Sequence, residues 1–259
     1  MNAIEISNLN FSFDKPVLNN ISLQLRLGAF TGILGPNGAG KSTIVKILSR
    51  WFKPQSGTVH IKGQSLPQLS QRQLAQLLAV VEQDTLVGSD ITVRELVALG
   101  RLPHQSFFAE ENEQDRKAIE NALQKTGVTA FASRSLSTLS GGEKQRARIA
   151  AALAQQTEIL ILDEPTTHLD IKHQLELLRL LKALAEDGLT VITVLHDINL
   201  AALFCDDIVL LSSGNVIRTG APQDVLTSEQ IEAVYDCKVT VYPHPVYQVP
   251  QIALLKGTS

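Results

Sequence analysis

A nine-residue stretch, GPNGAGKST from Gly35 to Thr43, constrains this chain more than any other feature. It fits the pattern G-x-x-x-x-G-K-[ST], in which backbone N–H groups of a glycine-rich loop surround phosphate oxygens. Gly38 and Gly40 permit backbone angles that a β-carbon would forbid. An apolar run precedes the stretch, and apolar residues at helical spacing follow it. The order strand, loop, helix predicts a nucleoside triphosphate site, and a chance match in a glycine-rich turn is the alternative.

Within this stretch each residue type has a chemical purpose. Lys41 supplies a positive charge for the phosphates, and the hydroxyl of Ser42 is a ligand suited to Mg²⁺. The helix that begins here directs the positive end of its dipole at the anion. All nine residues are therefore candidate nucleotide-binding residues: Gly35, Pro36, Asn37, Gly38, Ala39, Gly40, Lys41, Ser42 and Thr43.

Composition indicates a globular chain with no strong electrostatic bias. The 259 residues are 44% hydrophobic and 19% charged, and the net charge is −3, so no basic field favours a nucleic-acid partner. Cys205 and Cys237 are expected to be buried apolar residues without a disulfide, in a reducing compartment. No secretory signal is evident, and no apolar run approaches the roughly 20 residues of a spanning helix. We expect a cytosolic chain that another protein would hold at any membrane.

The order of patterns predicts an α/β fold in one domain over residues 1–259. Residues 4–34 alternate as strands. A helical insertion is expected over about 84–156, with a capping box from Thr92 to Glu95 and a charged helix over 110–125. An extension over about 221–259 closes the chain, with a helix over 228–235 and strands beyond it.

Two adjacent carboxylates follow a buried strand. The apolar run Ile159–Leu162 leads directly into Asp163 and Glu164. Side chains alternate at a strand end, so Asp163 can hold Mg²⁺ through water while Glu164 orients the attacking water. A charged turn before Pro165 is the plainer interpretation.

Polar residues also follow two other predicted strands. Gln83 follows the short strand Leu78–Val81, and His196 follows Val191–Leu195. Ligand groups in α/β proteins lie at such strand ends. His196 is interpreted as a γ-phosphate contact, although a lone histidine is more often structural.

A second anion site is predicted at LSGGEKQR, residues 139–146. Ser140 and Glu143 have capping-box spacing, which places Gly141 and Gly142 in the first turn of a helix with exposed N–H groups. A plain helix N-cap is the alternative. The two glycines favour close approach of a ligand, because glycine is a poor helix former.

Two further groups of residues leave alternatives open. Phe11 and Phe13 lie two residues apart, and either ring could stack on a base. His168, Asp170 and His173 could be taken for metal ligands, but their spacing matches no zinc pattern and no cysteine supports them.

Together these motifs resemble the ATP-binding-cassette (ABC) family over nearly the whole chain. GPNGAGKST looks like Walker A, LSGGE like the signature motif and ILILDEP like Walker B. Gln83 is similar to the Q-loop glutamine, residues 167–170 to the D-loop and His196 to the switch histidine. The resemblance implies a P-loop NTPase core with an N-terminal antiparallel β subdomain and an inserted helical subdomain.

The resemblance also implies roles for single residues. Glu164, His196 and Gln83 would be catalytic, with ATP as substrate and Mg²⁺ held by Ser42, Gln83 and Asp163. Phe13 aligns with the aromatic residue that stacks on adenine. In a head-to-tail homodimer each ATP would lie between Walker A of one copy and Ser140, Gly141 and Gly142 of the other. Asp170, in the D-loop, would be a further nucleotide-binding residue.

Finer details, PTTHLD, HDINLA and VALGRLP, resemble the branch of importers for iron–siderophore complexes, haem or cobalamin. That branch implies two permease subunits, whose cytoplasmic helices dock near residues 85–101, and a periplasmic or surface substrate-binding protein. The chain would then lie peripherally on the cytoplasmic face of the cell membrane. A soluble cassette of iron–sulfur assembly or nucleic-acid handling is the alternative.

Overall fold

The structure is a computed structural model that describes residues 1–82, 90–105 and 111–256. Its strands are β1 (Asn2–Ser12), β2 (Pro16–Arg26), β3 (Phe30–Leu34), β4 (Ser56–Ile61), β5 (Gln64–Ser65), β6 (Leu78–Val81), β7 (Ile159–Asp163), β8 (Thr190–Val194), β9 (Asp207–Ser212), β10 (Asn215–Gly220), β11 (Val239–Pro243) and β12 (Pro250–Leu254). Its α-helices are α1 (Lys41–Leu48), α2 (Gln71–Leu77), α3 (Val93–Leu99), α4 (Glu113–Lys125), α5 (Gly141–Ala154), α6 (Ile171–Glu186), α7 (Ile198–Phe204), α8 (Pro222–Val225) and α9 (Ser228–Tyr235).

Contacts divide the chain into two compact units, and α6 passes from one to the other. The first unit is Met1–Leu66 with Lys182–Ser259, and the second is Pro67–Leu181. The single-domain assignment and the boundaries 84–156 and 221–259 stay predictions. No helix in the described ranges is both long and apolar enough to cross a membrane.

The first unit contains an antiparallel sheet and a mainly parallel one. The antiparallel sheet has the order β2-β1-β4-β5, and β2 alternates buried leucine and isoleucine with exposed polar residues, as its sequence predicts. In the other sheet β3 pairs in parallel with β8 and β9, and β10 returns antiparallel to β9. All five residues of β3 and of β8 are buried, including Thr31, Thr190 and Thr193, as in parallel strands that are covered on both faces.

The second unit combines the parallel pair β6 and β7 with a helical core. Apolar faces of α3, α4 and α5 pack on one another, and the four residues predicted for the face of α4 are all buried: Ala118, Ile119, Ala122 and Leu123. The predicted capping boxes Thr92–Glu95 and Ser140–Glu143 are both present. Local hydrogen bonding therefore starts these helices where their sequences indicate.

Three expectations need correction. Helix α4 begins at Glu113 and not at residue 110, because Asn112 accepts the Asp115 N–H and caps it. The sequence predicts a hairpin turn at Gly214 and Asn215, but the turn between β9 and β10 lies at Ser213 and Gly214, both with positive φ, and Asn215 already belongs to β10. Cys205 is buried, but Cys237 is only partly buried, since it follows the end of α9.

Candidate functional site

The glycine-rich loop joins β3 to α1 in the first unit. Gly40 caps α1 in the left-handed conformation, with φ of 99°, and the Ala39 N–H donates to the Pro36 carbonyl at 3.2 Å. Lys41 is only 5% exposed, and its Nζ donates to the carbonyl oxygens of Gly35 at 2.7 Å and Pro36 at 3.0 Å. The ammonium group is thus held at the beginning of the loop, on the side where the strand ends.

Close packing explains two of the three glycines in this loop, and a positive φ explains the third. A β-carbon on Gly35 would lie 2.3 Å from the Leu211 carbonyl oxygen, and one on Gly40 would lie 2.5 Å from Leu18 Cδ2. Gly38 has φ of 79° and open space around its missing side chain. The loop therefore brings together backbone N–H groups, a lysine and the Ser42 hydroxyl at the start of a helix, which are the kinds of group that bind phosphate.

His196 lies at the same sheet edge as this loop. Strands β3 and β8 are parallel with Ile33 opposite Val194, and the Leu195 N–H donates to the Ile33 carbonyl at 3.2 Å. Gly35 and His196 each lie two residues beyond a paired position, so equal register places them side by side at the carboxyl ends of the strands. The His196 side chain is exposed there.

A cluster of three phenylalanines packs near α1. The ring centroids of Phe11 and Phe13 are 5.0 Å apart, and each lies within 5.3 Å of the Phe52 ring. Lys46 of α1 lies over the Phe52 ring. Phe13 is 60% exposed, whereas Phe11 is only 7% exposed. Only Phe13 therefore offers an open ring face, while Phe11 supports it from within.

Tyr235, at the end of α9, adds a contact that sequence analysis does not single out. Burial raises the pKa of Tyr235 to about 12, although a hydrogen bond from the Gly35 backbone opposes that rise. Tyr235 of α9 therefore lies near the first glycine of the phosphate loop. Nothing in the local sequence of α9 indicates this contact, because it joins residues far apart in the chain.

In the second unit, Ser140 and Glu143 form a reciprocal cap on α5. The Ser140 N–H donates to Glu143 Oε2 at 2.8 Å, and the Glu143 N–H donates to Ser140 Oγ at 3.3 Å. These bonds hold the pKa of Glu143 below its ordinary value. Apart from its neighbours in the chain and the backbone of α5, no heavy atom in the described part of the chain lies within 4 Å of the position of a β-carbon on Gly141. The first turn of α5 is thus open to an approaching group.

Asp163 and Glu164 follow directly from β7. Asp163 is 8% exposed and Glu164 is partly exposed, so their environments differ. Glu164 has φ of 51°, a left-handed conformation that nine other non-glycine residues in the described ranges share and that costs a residue with a β-carbon about 1–3 kcal/mol. Thr167 Oγ1 lies 3.5 Å from Glu164 Oε2.

Asp170 precedes α6 and accepts a hydrogen bond from the backbone N–H of His173 at 2.8 Å. Bonds from the His173 backbone and ring lower the pKa of Asp170. Gln83 and residues 85–89 lie outside the described residues. The assigned roles of all these side chains stay predictions.

A glycine-rich phosphate loop between a parallel strand and a helix, with acidic residues after a buried strand, defines a P-loop nucleotide-binding protein. Residues 18–167 match the sequence profile of the family described as ABC transporter. The chain belongs to the ABC transporter family and is an ATPase cassette, so the predicted fold class and enzymatic activity are confirmed.

Similar proteins extend this conclusion over the whole length. The chain is 41% identical to the ferric enterobactin transport ATP-binding protein FepC of Escherichia coli K12, across 94% of this chain and 90% of that protein. A metal-chelate type ABC transporter solved in an inward-facing conformation superimposes with a TM-score of 0.87 at 26% identity, covering 99% and 98% of the two chains. The dimeric bacterial cassette MJ0796 gives a TM-score of 0.73 at 33% identity, covering 84% and 98%.

Proposed function

We propose that this chain hydrolyses ATP to energise an importer of iron chelates, such as siderophore or haem complexes, or of cobalamin. The observation that carries this proposal is the similarity to a ferric enterobactin transport ATP-binding protein along 94% of the chain. A phosphate loop with a buried Lys41, and a glutamate at position 164 directly after β7, support an active ATPase over a degenerate cassette.

In the proposed reaction, the loop N–H groups and Lys41 hold the β- and γ-phosphates. Ser42, Asp163 and Gln83 are oxygen donors of the kind that Mg²⁺ accepts, and the ion would neutralise charge on the phosphates. Glu164 orients a water molecule for attack on the γ-phosphorus, and the bond to the β-phosphate bridging oxygen breaks. His196 would contact the γ-phosphate from the neighbouring strand end.

The second half of each site is proposed to come from another copy of the chain. Ser140 and Gly141 form an open helix start, and an N-terminal dipole attracts phosphate oxygens. With Gly142 and Asp170 they would complete the site across a head-to-tail homodimer, and the dimeric cassette of known structure supports this arrangement. ATP would then favour the closed dimer because it binds that state more tightly.

Adenine is proposed to stack on Phe13, since its ring is exposed and two further phenylalanines support it. Two permease subunits are proposed partners, with a periplasmic or surface substrate-binding protein upstream. The exposed leucines Leu99 and Leu102 support docking of a permease helix near α3, on the cytoplasmic face of the membrane.

A cassette of iron–sulfur assembly or nucleic-acid handling is the competing function. The proteins similar to this chain are transport ATP-binding proteins, so the comparison does not favour this competing function. Purification of the tagged chain from solubilised membranes distinguishes the two: an integral-membrane partner supports the importer, and soluble assembly proteins or nucleic acid contradict it. Loss of iron-chelate or cobalamin uptake on deletion, restored by the wild-type chain but not by Glu164→Gln, would identify the ligand.

The shared site has its own test in Ser140→Arg, which should abolish turnover by blocking the partner's ATP while leaving Lys41 intact. Ser140→Ala separates this effect from loss of the cap. Ser137→Arg is the matched control, since Ser137 is a nearby exposed serine. Full activity in Ser140→Arg would rule out sharing between copies.

A further inference from the structure

His173 lies between two segments that are expected to reach the partner copy. It is the third residue of α6, and its ring contacts both Asp170 and Gly142. We propose that His173 is a positioning residue that fixes the Asp170 carboxylate relative to the start of α5, so that both reach the partner's ATP in register. The inference rests on the proposed shared site and assigns a role to a residue that the motifs leave out.

The contact with Asp170 is directional. Asp170 Oδ1 accepts from the His173 backbone N–H at 2.8 Å and from the ring Nδ1 at 2.7 Å. An ionised carboxylate only accepts hydrogen bonds, so Nδ1 carries the proton. Both bonds go to one oxygen, and the Asp170 side chain remains 65% exposed. The carboxylate is thus fixed in rotation yet open to a neighbouring molecule.

The opposite contact is steric. A β-carbon on Gly142 would lie 2.9 Å from His173 Cδ2 and 3.2 Å from Cγ, so the ring rests against the glycine. Gly142 is buried, whereas Gly141 beside it is exposed. The two glycines therefore differ in role. The missing side chain of Gly142 makes room for the His173 ring, and the missing side chain of Gly141 leaves space at the surface.

Further contacts hold α5 and α6 together around this ring. A small cleft is lined by Gly142, Gln145, Arg146, Leu169, His173 and Leu177. Arg146 Nη1 donates to Glu176 Oε2 at 3.1 Å, which joins α5 to α6 one turn beyond the histidine. Displacement of the start of α5 would therefore move His173, and with it the carboxylate of Asp170.

Simple helix capping is the competing explanation, and it makes a different demand on the side chain. Asp170 Oδ1 caps α6 by accepting from the backbone N–H of residue 173, whatever side chain residue 173 carries. Capping alone therefore predicts no special requirement at position 173. A positioning role requires a donor at the place of Nδ1, and Asn has one at the equivalent atom, whereas Gln and Leu do not.

Three variants in the full-length chain test this: His173→Asn, His173→Gln and His173→Leu. Asn should keep kcat within about threefold of wild type, while Gln and Leu should lower kcat by about fivefold or more, because a charge-assisted hydrogen bond is lost. Nucleotide affinity of the monomer, measured by calorimetry, should change less than about twofold in all three, since Walker A is untouched. In a Glu164→Gln background, ultracentrifugation measures the fraction of chain that dimerises with ATP. That fraction should fall in His173→Gln and His173→Leu but not in His173→Asn.

Several results would overturn the proposal. Wild-type kcat and dimer in His173→Leu would show that the ring is dispensable. Equal losses for Asn and Leu, in step with melting temperature, would leave only a structural role. A wild-type chain that neither hydrolyses ATP nor dimerises would instead refute the proposed function, and the inference would fall with it.

Discussion

Lys41 Nζ donates to the Gly35 carbonyl oxygen at 2.7 Å, so the lysine of the phosphate loop is bonded to the first glycine of the same loop. The ammonium group is removed from water, and backbone carbonyl oxygens accept its hydrogen bonds. Phosphate oxygens would attract the same group. Binding of a triphosphate at this loop would exchange carbonyl partners for phosphate oxygens, which are charged and form stronger hydrogen bonds. Affinity for nucleotide should therefore depend directly on this side chain.

Lys41→Ala is expected to weaken ATP binding by about tenfold or more, because one charge-assisted interaction with phosphate disappears. Calorimetry on the purified monomer measures it. Lys53→Ala is the control, since Lys53 is exposed in the turn before β4. Unchanged affinity in Lys41→Ala would contradict the phosphate-loop assignment.

Glu164→Gln is expected to keep ATP binding but to lose turnover by about 100-fold or more, the usual contribution of a general base or water-orienting carboxylate. The closed dimer should accumulate with ATP, because the phosphate cradle is intact and hydrolysis no longer reopens it. Phosphate release and sedimentation measure the two effects. Glu229→Gln, an exposed change of the same kind in α9, should alter neither.

Local patterns in the sequence predict much of this fold. The cap of α5 joins residues three apart, Ser140 and Glu143, and its signal is therefore complete within one turn. The predicted start of α4 was wrong. The cap of this helix pairs Asn112 with Asp115, and this pair is harder to recognise in a sequence than the serine–glutamate pair that caps α5. The end of β7 at Asp163 was predictable because an apolar run leads into it. The end of β8 at Val194, two residues before His196, was predictable because a largely β-branched run forms that strand.

Contacts between distant segments could not be predicted. The approach of Tyr235 to Gly35 and the packing of His173 on Gly142 depend on tertiary structure, for which a single sequence gives no signal. The positive φ of Glu164 is also a tertiary property, since the surrounding fold must compensate for its strain. The sequence therefore identifies the residues expected to carry out the chemistry more readily than it identifies the residues that hold them in place.

Gly141→Ala should separate stability from activity. Space is open around Gly141, and alanine favours a helix, so stability should stay the same or rise by up to about 1 kcal/mol. Turnover should nevertheless fall by about tenfold or more, if partner phosphate approaches this backbone as proposed. Thermal unfolding and ATPase assays give the two readings, and unchanged turnover would argue against close approach at Gly141.

Arg101 and Asp115 form a buried ion pair, with Nε 2.8 Å from Oδ1 and side chains 4% and 1% exposed. Arg101 Nη1 also donates to the Ala154 carbonyl, which joins α5 to the pair. Arg101→Ala should lower the free energy of unfolding by about 3–5 kcal/mol, because it leaves a buried carboxylate unpaired. Lys117→Ala is the control: its exposed pair with Glu113 should contribute less than about 0.5 kcal/mol.

The same pair predicts a pH dependence with a definite sign. Burial alone would raise the pKa of Asp115, but hydrogen bonds from Arg101, Gln105 and Asn112 outweigh it and hold that pKa below its ordinary value. A depressed folded pKa stabilises the protein above the unfolded pKa, near 3.8, and this contribution is lost as pH falls through the folded value.

Urea unfolding should therefore show the cost of Arg101→Ala in full at pH 7. That cost should shrink below about pH 4, where a neutral carboxyl needs no cationic partner. A cost independent of pH would mean that Arg101 acts through packing and its bond to α5.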